Sequence, residues 1–147
     1  MSTLKKACSF CIYQERTQEE VREKLKSWHI PASEAEEIIA WLISENFINE
    51  GRYAQQFAGG KFRVKKWGRR KIIFALRSKG LSDRCIEEAL AAIDEDEYRE
   101  TLLALARRRK ELLAAEESPL LTRKKITEYL VGKGYETDYI REALQAL

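Results

Sequence analysis

One helical pattern occurs three times along the chain. The stretches 17–30, 68–81 and 122–135 read TQEEVREKLKSWHI, GRRKIIFALRSKGL and TRKKITEYLVGKGY, and they align without a gap. Apolar residues coincide at two positions four residues apart, which lie on one face of a helix. These positions hold Val21, Ile72 and Ile126, and then Leu25, Leu76 and Leu130. A repeat of this kind predicts one helical unit that is used three times.

The start of each repeated helix carries a cap signal. An N-cap side chain or a bare glycine backbone helps to satisfy the first amides of a helix, which have no partner within it. Thr17 with Glu20, and Ser33 with Glu36, have the spacing of a capping box, in which each residue satisfies the backbone amide of the other. The predicted N-cap residues of the three copies are Thr17, Gly68 and Thr122.

The ends of the repeated helices also agree. Gly80 and Gly134 stand where a residue in the left-handed conformation would close a helix, and His29 holds that place in the first copy. Histidine is enriched at positive φ, so helix termination explains His29 better than a role as general base. Since His29 is the one histidine of the sequence, a nucleophile–histidine grouping has no support, and we predict no catalytic residues.

Further helical stretches precede and follow each copy, which gives nine helices in three units of three. The sequence therefore predicts an all-α fold of three tandem three-helix repeats, at residues 1–46, 47–93 and 94–147. Three short helices bury little apolar surface alone. Neighbouring repeats are therefore expected to share cores and to stack into an elongated body that can curve.

The helices that precede the three copies carry apolar residues at the spacing of a buried helix face. These residues are Leu4, Cys8, Cys11 and Ile12, then Tyr53, Phe57 and Val64, then Tyr98, Leu102 and Leu105. After the seventh helix, Pro119 interrupts the pattern at AAEESPLL (114–121), because proline cannot continue a helix. We therefore expect the seventh helix to end at Glu116 and Glu117.

Cys8 and Cys11 form a C-x-x-C pair, a spacing found in zinc sites and in redox proteins. A structural zinc needs four ligands, and only Cys85 and His29 remain to complete the set. A thioredoxin-like role needs a strand before the pair, and none is predicted. We expect both cysteines to pack in the core as small apolar residues, and we predict no metal and no cofactor.

The charge of the chain is unevenly distributed. Between Gly51 and Ser82 the sequence has ten Lys or Arg and neither Asp nor Glu, while the rest of the chain has a net charge of −7. A basic centre between acidic arms indicates a localised anionic partner. No apolar run approaches the roughly 18 residues of a membrane span, and no signal-peptide pattern opens the chain, so we expect a cytoplasmic protein.

Seven of these cations lie in GGKFRVKKWGRRKI (59–72), where a helix is predicted to begin after Gly68. A cation in the first turn of a helix costs roughly 0.3–1 kcal/mol, because the helix N-terminus is already positive. The third copy repeats this arrangement, whereas the first has Gln18, Glu19 and Glu20 there. An anion on another molecule would compensate the charges, since helix amides and guanidinium groups bind carboxylate or phosphate oxygens. The predicted binding residues are Lys61, Arg63, Lys65, Lys66, Arg69, Arg70 and Lys71, with Arg123, Lys124 and Lys125 as a second patch.

Trp67 lies between Lys66 and Gly68 and joins the predicted site. An indole at this place can stack on a base, fill a pocket of a protein partner or pack into the neighbouring core. A solvated basic face that binds nothing is the simpler alternative, and the residues alone leave these interpretations open.

Three segments together resemble the RecX family of bacterial regulatory proteins. They are RTQEEVREKL (16–25), WLISENFINEGRYAQQFAGGKFRVKKWGRRKIIFALRSKGL (41–81) and IEEAL (86–90). The family pattern is approximately R-x-x-S-x-x-E-L, then G-Y-I-D-D-x-R-F-A, then R-x-x-x-x-G-x-x-x-I-x-x-x-L-x-x-K-G-I. The most specific matches are Arg52-Tyr53-Ala54, Gly68 and Lys79-Gly80-Leu81. The chain departs from the pattern with Thr17 for serine, Asn46 for glycine, Asn49-Glu50 for the acidic pair and Lys61 for arginine.

The resemblance implies a monomer without enzymatic activity, built from three tandem three-helix units. Members of the family modulate the RecA recombinase by binding within the helical groove of the RecA–DNA filament, which lowers strand exchange, ATP turnover and co-protease function. By this resemblance the partner is the RecA nucleoprotein filament. The basic residues would then pair with acidic side chains or phosphates of that filament.

Two other functions are compatible with the residues. A stand-alone protein that binds single- or double-stranded DNA without sequence specificity would use the same basic helix starts. Sequence-specific recognition is disfavoured, because the helices that follow the second and third copies read SDRCIEEALAAI and TDYIREALQAL, which are acidic or neutral. A structural adaptor with an unused basic patch is the third possibility.

Overall fold

The computed structural model describes residues 2–147, and within that range the chain forms nine α-helices and no strand. The helices are α1 (Thr3–Tyr13), α2 (Gln18–Ser27), α3 (Ala32–Ser44), α4 (Glu50–Lys65), α5 (Arg69–Ser78), α6 (Asp83–Ala91), α7 (Glu95–Leu112), α8 (Pro119–Lys133) and α9 (Thr137–Gln145). The three copies of the repeated pattern form α2, α5 and α8. The prediction of an all-α fold is confirmed.

The chain divides into two compact units. The first comprises the chain up to Phe57 together with Leu76–Ala89, and the second comprises Ala58–Ala75 and Leu90–Leu147. Helices α4 and α5 therefore contribute residues to both units. Because these units do not follow the sequence repeat, the repeat boundaries at 1–46, 47–93 and 94–147 stay a prediction.

The first unit has a core formed by α1, α2 and α3. Leu25 and Leu42 are completely buried there. Cys11 is buried in the same core and Cys8 packs against it, which confirms the prediction for both cysteines. Burial raises the pKa of the Cys11 thiol to about 11, so this sulfur is neutral near pH 7.

The second unit has a core built around aromatic rings. The centroid of the buried Tyr98 ring lies 5.7 Å from that of Phe62 and 5.2 Å from that of Tyr135. Ile72 and Ile126, which occupy the same position in two copies of the repeat, are both buried in this unit. The apolar pattern of the repeat therefore identifies core residues correctly.

Several helix termini match the sequence signals. The Thr17 hydroxyl accepts a hydrogen bond from the Glu20 amide at 3.1 Å, and the Glu20 carboxylate accepts one from the Thr17 amide at 3.1 Å, so this capping box is confirmed. Gly80 and Gly134 have φ values of 83° and 100°, and His29 has a φ of 61°. The prediction that these three residues close their helices is also confirmed.

The second predicted capping box is wrong. Helix α3 begins two residues earlier than expected, at Ala32 after Pro31, and no side chain caps it. The Glu36 carboxylate instead accepts hydrogen bonds from the Arg22 guanidinium, with the shortest distance 2.6 Å. Ser33 therefore lies inside the helix, because Pro31 already supplies the extended residue that precedes it.

The predicted start of α8 is wrong as well. The helix begins at Pro119, and the hydroxyl of Ser118 caps it by accepting a hydrogen bond from the Leu121 amide at 3.3 Å. Pro119 therefore opens this helix, a position where its fixed φ and missing amide are tolerated. Thr122 lies within the first turn, and α7 ends at Leu112, earlier than the predicted Glu116 and Glu117.

Two residues of the predicted apolar stripes face solvent. The exposed fractions of Ile12 and Val64 are 72% and 75%. In α1 the small side chains of Ala7 and Cys11 face the core instead, and in α4 the buried positions are held by residues such as Ala58 and Phe62. Alanine is a weak apolar signal in a sequence, so the stripes were extended to Ile12 and Val64 and left out Ala7 and Ala58.

None of the helices within residues 2–147 combines the length and the apolar character that crossing a membrane would require.

Candidate anion-binding surface

The central basic segment, residues 61–71, joins the end of α4 to the start of α5 and lies within the second unit. Its first part is helical, because α4 continues to Lys65. Arg63 and Lys65 lie in the last turn of α4. Cations are favoured at a helix C-terminus, where the backbone carbonyls are partially negative. The charges of Arg63 and Lys65 therefore stabilise their own helix and do not by themselves indicate a ligand.

The turn after α4 is fixed by contacts with the end of α8. Lys66 adopts a left-handed conformation with a φ of 59°. The Lys133 ammonium donates to the carbonyl of Lys65 at 2.5 Å, and the Tyr135 hydroxyl donates to the carbonyl of Lys66 at 2.9 Å. These bonds satisfy two carbonyls at the C-terminus of α4 and set the direction in which the basic segment leaves the helix.

Three amides at the start of α5, those of Gly68, Arg69 and Arg70, have partners within the chain. The Gly68 amide donates to the carbonyl of Lys133 at 2.8 Å, and the Arg70 amide donates to the carbonyl of Gly134 at 2.9 Å. The Arg69 amide donates to the Tyr98 hydroxyl at 2.9 Å. These three amides are therefore not available to an external anion, contrary to the expectation from the sequence, and the proposed binding rests on side-chain charges.

Two glycines allow this close approach of α5 to the end of α8. A Cβ atom added to Gly68 would lie 2.4 Å from the carbonyl carbon of Gly134, which is a severe overlap with backbone. A Cβ atom added to Gly134 would lie 2.4 Å from the Cβ atom of Lys71. Gly68 is thus required for contact between two backbones, which is a stronger constraint than the N-cap role predicted from the sequence.

Arg69 is the centre of a network that belongs to the fold. Its guanidinium donates to the Glu136 carboxylate at 3.0 Å and to the Glu95 carboxylate at 2.5 Å, and it lies 3.8 Å from the centroid of the Tyr98 ring. The Tyr98 hydroxyl also donates a hydrogen bond to Glu136. Only 16% of the Arg69 side chain is exposed.

The network explains the charge state of its members. Burial lowers the pKa of the Arg69 guanidinium, but the hydrogen bonds to Glu136, Tyr139 and Glu95 outweigh burial and raise the pKa above its ordinary value. Burial and the hydrogen bond to Glu136 raise the pKa of Tyr98. Both groups therefore keep their protons near pH 7. The prediction that Arg69 needs an external anion is wrong, because two acids of its own chain compensate its charge.

The neighbouring cations differ from Arg69. Lys65, Lys66, Arg70 and Lys71 are exposed, and within residues 2–147 none of them has a carboxylate at ion-pair distance. The Lys66 ammonium donates to the carbonyl of Arg63 at 2.8 Å. Arg70 and Lys71 lie in the first turn of α5, where a cation is unfavourable. These two charges are the ones that the fold does not explain.

Trp67 organises the surface between the two helices. The ammonium groups of Lys61 and Lys71 lie 4.9 Å and 4.7 Å from the centroid of the indole ring, so one ring attracts a cation from α4 and another from α5. Trp67 is only partly buried. A ring that already contacts two ammonium groups is less suited to stacking on a base, and its evident effect is to hold two cations close together.

The second basic patch, Arg123 to Lys125, lies in the second turn of α8 because the helix begins at Pro119. The Lys125 ammonium pairs with Glu116 at 2.8 Å, and the Lys124 ammonium lies 4.0 Å from Glu128. The expectation that these cations occupy an opening turn is wrong. About 8–10 residues separate them from Lys133, which places them roughly 12–15 Å along the helix axis from the end that contacts the central basic segment.

The sequence did not identify Glu95 and Glu136 as partners of Arg69. Each acid lies next to the start of a helix, α7 for Glu95 and α9 for Glu136, where an acidic residue is expected for reasons of capping alone. Tyr98 was predicted as a core residue, but its hydrogen bonds to Arg69 and Glu136 depend on tertiary contacts that periodicity does not show.

The fold and the surface define a class of protein: an all-helical protein of repeated three-helix domains with an exposed basic segment between two helices. Family models for the first, second and third three-helix domains of RecX match residues 4–42, 49–90 and 95–144. The chain belongs to the RecX family, and the prediction of three tandem three-helix domains is confirmed.

Named relatives agree with this assignment. The chain is 30% identical over 145 residues to Regulatory protein RecX of Clostridium acetobutylicum, a match that covers 97% of this chain and 67% of the relative. It is 30% identical over 131 residues to Regulatory protein RecX of Clostridium beijerinckii, which covers 88% of this chain and 61% of the relative. The chain therefore spans about three fifths to two thirds of the length of these curated relatives.

Solved structures have the same fold. The crystal structure of RecX from Lactobacillus salivarius superposes with a TM-score of 0.90 at 29% identity, covering 98% of this chain and 93% of that one. A second crystal structure, of regulatory protein RecX, superposes with a TM-score of 0.85 at 23% identity over 97% of this chain and 71% of that one, and this likeness concerns the fold alone.

Proposed function

We propose that the chain regulates the RecA recombinase in the cytoplasm by binding to the RecA–DNA filament, and that it acts by binding without catalysing a reaction. The central basic segment, without Arg69, provides the binding charges. Bound at the filament, the helical body obstructs growth or the subunit motions that accompany ATP turnover. The membership of the family of regulatory proteins supports this proposal.

The observation that carries the proposal is the contrast between Arg69 and its neighbours. Three consecutive cations begin α5, and among residues 2–147 carboxylates neutralise Arg69 and neither of its two neighbours. Arg70 and Lys71 project from the positive end of the same helix without such compensation. Carboxylates or phosphates on a partner would remove this penalty and would gain charge-assisted hydrogen bonds.

Non-specific binding to bare DNA is the alternative that the same charges support. The Lys61 and Lys71 ammonium groups next to Trp67 combine cations with an aromatic ring, as many nucleic-acid-binding surfaces do. Phosphate binding of this kind weakens steeply with salt, because each neutralised phosphate releases counterions. Inhibition of RecA at physiological salt, under conditions where bare DNA is not bound, would separate the two functions.

The test compares two double variants that make the same change in charge. Arg70→Glu with Lys71→Glu reverses the two uncompensated cations of α5. Arg84→Glu with Arg141→Glu reverses two other exposed arginines, and it serves as the matched control. For each protein, DNA-dependent ATP turnover by RecA is measured at increasing concentrations, alongside binding to labelled single- and double-stranded DNA.

We expect the unaltered chain and the control to inhibit ATP turnover at concentrations that give no binding to bare DNA. The Arg70→Glu, Lys71→Glu variant should need at least about a tenfold higher concentration, since reversing two paired charges costs more than 1.4 kcal/mol. Tight binding to DNA without an effect on RecA would contradict the proposal and support the alternative. Equal inhibition by both variants would show that the basic start of α5 has no part in binding.

A further inference from the structure

Two buried tyrosines hold the turn in the middle of the central basic segment. Residues 66–68 form this turn between α4 and α5. The Tyr135 hydroxyl donates to the carbonyl of Lys66, the first residue of the turn, at 2.9 Å. The Tyr98 hydroxyl accepts from the amide of Arg69, directly after the turn, also at 2.9 Å. Since the centroids of the two rings lie 5.2 Å apart, one pair of packed side chains holds the backbone on both sides of the turn.

Neither tyrosine is able to contact another molecule. The exposed fraction is 0% for both Tyr98 and Tyr135. Burial raises the pKa of Tyr135, so its hydroxyl keeps the proton that it donates to the Lys66 carbonyl. The Tyr98 hydroxyl donates its own proton to Glu136 while it accepts from the Arg69 amide. Any effect of the two hydroxyls on binding must therefore act through the segment that they hold.

The repeat shows that packing alone does not require a hydroxyl at position 135. The equivalent residues of the first and second copies are Ile30 and Leu81. All three residues donate their backbone amide to the carbonyl of a leucine five positions earlier, at 3.1, 3.3 and 3.1 Å in chain order. The local backbone geometry is thus the same, and an aliphatic side chain fills the position in two copies. The Tyr135 hydroxyl is an addition in the third copy, and its hydrogen-bond partner is the basic segment.

The turn determines how the cations of α4 and α5 are spaced. Trp67 is its central residue, and the ammonium groups of Lys61 and Lys71, one from each helix, lie 4.9 Å and 4.7 Å from the centroid of the indole ring. A change in the backbone of the turn would move this ring and the two cations that it attracts. Charges held at a fixed spacing bind a partner with a smaller loss of conformational freedom than mobile charges do.

We propose that the hydroxyls of Tyr98 and Tyr135 are positioning groups, which hold residues 66–68 in the geometry in which the central basic segment binds its anionic partner. The inference rests on the proposed function for the identity of that partner. It goes beyond that function because it assigns a part in binding to two residues that no partner can touch. Through Tyr98 on α7 and Tyr135 after α8, the third three-helix domain would contribute to binding without its own basic patch.

The test removes one hydroxyl at a time and keeps the ring. Tyr135→Phe and Tyr98→Phe are the test variants. Tyr129→Phe is the matched control, because the Tyr129 hydroxyl has no hydrogen bond among residues 2–147. Hydrogen exchange of the amides of residues 68–70, followed by NMR with neither RecA nor DNA present, measures how firmly the turn is held. DNA-dependent ATP turnover by RecA is then measured with the same proteins.

We expect these amides to exchange about three- to tenfold faster in each test variant, as the loss of one hydrogen bond implies, and at an unaltered rate in the control. Half-inhibition of RecA should need about a three- to tenfold higher concentration of either test variant. Each variant keeps its aromatic ring, so circular dichroism should show a folded protein at the assay temperature.

A combined variant distinguishes positioning from a general loss of folded protein. When Tyr135→Phe is added to Arg70→Glu with Lys71→Glu, the half-inhibitory concentration should change by less than about twofold, because the cations that the hydroxyl positions are then absent. A general loss of folded protein would raise that concentration by the same factor in both backgrounds.

Three results would overturn the inference. The first is exchange of the amides of residues 68–70 at the control rate in both test variants. The second is inhibition of RecA that neither test variant weakens, and the third is an equal effect of Tyr135→Phe in the two backgrounds. If the unaltered chain does not inhibit RecA, the proposed function fails, and the exchange rates still decide whether the hydroxyls hold the turn.

Discussion

Replacement of Arg69 by alanine should destabilise the protein, whereas the same replacement of its neighbour Arg70 should not. The two residues are adjacent in the most basic part of the sequence, and composition does not distinguish them. In the fold, Arg69 is largely buried between two carboxylates and a tyrosine ring, and Arg70 is exposed. The comparison therefore tests whether the structural account of this segment is right.

The expected loss follows from the three contacts of the Arg69 side chain. Its pair with Glu95, whose side chain is 49% exposed, contributes at most about 1 kcal/mol. Glu136 is only 24% exposed, and leaving it without its cation costs about 1–2 kcal/mol even though the Tyr98 hydroxyl still donates to it. Loss of the guanidinium over the Tyr98 ring adds about 0.5–1 kcal/mol. We expect a total of about 2–3 kcal/mol, or a decrease in Tm of about 4–12 °C for a chain of this size.

Thermal unfolding followed by circular dichroism measures this difference, with urea unfolding as an independent check that leaves ion pairs unscreened. Arg70→Ala should change the free energy of unfolding by less than about 0.5 kcal/mol, as is usual for exposed residues. If Arg69→Ala lowered Tm by less than about 1 °C, the structural role of Arg69 would be refuted. Equal decreases for both variants would show that the segment contributes to stability through its overall charge.

Two further predictions concern the same part of the fold. Gly68→Ala should destabilise the protein by about 1–3 kcal/mol, because the new Cβ atom would overlap the backbone of Gly134. Gly60→Ala, whose new Cβ atom would have no atom within 4 Å, should stabilise α4 by about 0.5–1 kcal/mol. Urea unfolding measures both changes, and equal effects of the two substitutions would contradict this prediction. Hydrogen bonds from Tyr139 and Arg69 lower the pKa of Glu95 from its usual value of 4.5. A carboxyl group whose pKa is lower in the folded than in the unfolded state stabilises the protein at pH values above the unfolded-state pKa. That stabilisation is lost as the pH falls through the folded-state pKa. Glu95→Gln should therefore lower Tm at pH 7 and should lose this difference as the pH falls well below 4.5, and a difference that persists at low pH would contradict the assignment.

The repeat pattern predicted the fold well because it depends on local physics. Leu25, Leu76 and Leu130 share one position of the pattern, and all three are completely buried. Helix closure by Gly80 and Gly134 was predicted equally well, since a left-handed residue is a local requirement. These signals are read from a few neighbouring residues, and no knowledge of the tertiary contacts is needed.

The start of α8 shows where local signals compete. Thr122 aligned with Thr17 and was predicted as an N-cap, but Ser118 followed by Pro119 forms an earlier start, so the helix gains a turn. The alignment of the three copies favoured Thr122 as the N-cap. The stronger signal for the start of the helix was Ser118 followed by a proline at the first helical position. As a consequence, Arg123 to Lys125 moved out of the opening turn, and the equivalence with Arg69 to Lys71 was lost.

The candidate site could be predicted only in part, because charge in a sequence does not show which cations are already paired. Ten cations without an acid between Gly51 and Ser82 gave the position of the basic segment. The acids that neutralise Arg69 are Glu95 at the start of α7 and Glu136 just before α9. Both lie far from Arg69 in the sequence, so the composition of the basic segment could not show these contacts.

The first copy of the repeat provides a natural comparison for Arg70 and Lys71. The equivalent residues of α2 are Glu19 and Glu20, which lie in a first turn where acids are favoured. Reversing Arg70 and Lys71 to Glu gives α5 the same favourable charges, while loss of the Lys71 ammonium from the Trp67 ring costs about 0.5–1 kcal/mol. The variant that should lose regulation of RecA should therefore also be more stable, by a net gain of up to about 1 kcal/mol. Loss of regulation together with a higher Tm would mean that these cations are kept for binding at a cost in stability. A lower Tm would instead assign them to the fold, and the proposed binding surface would then have no unexplained charge on which to rest.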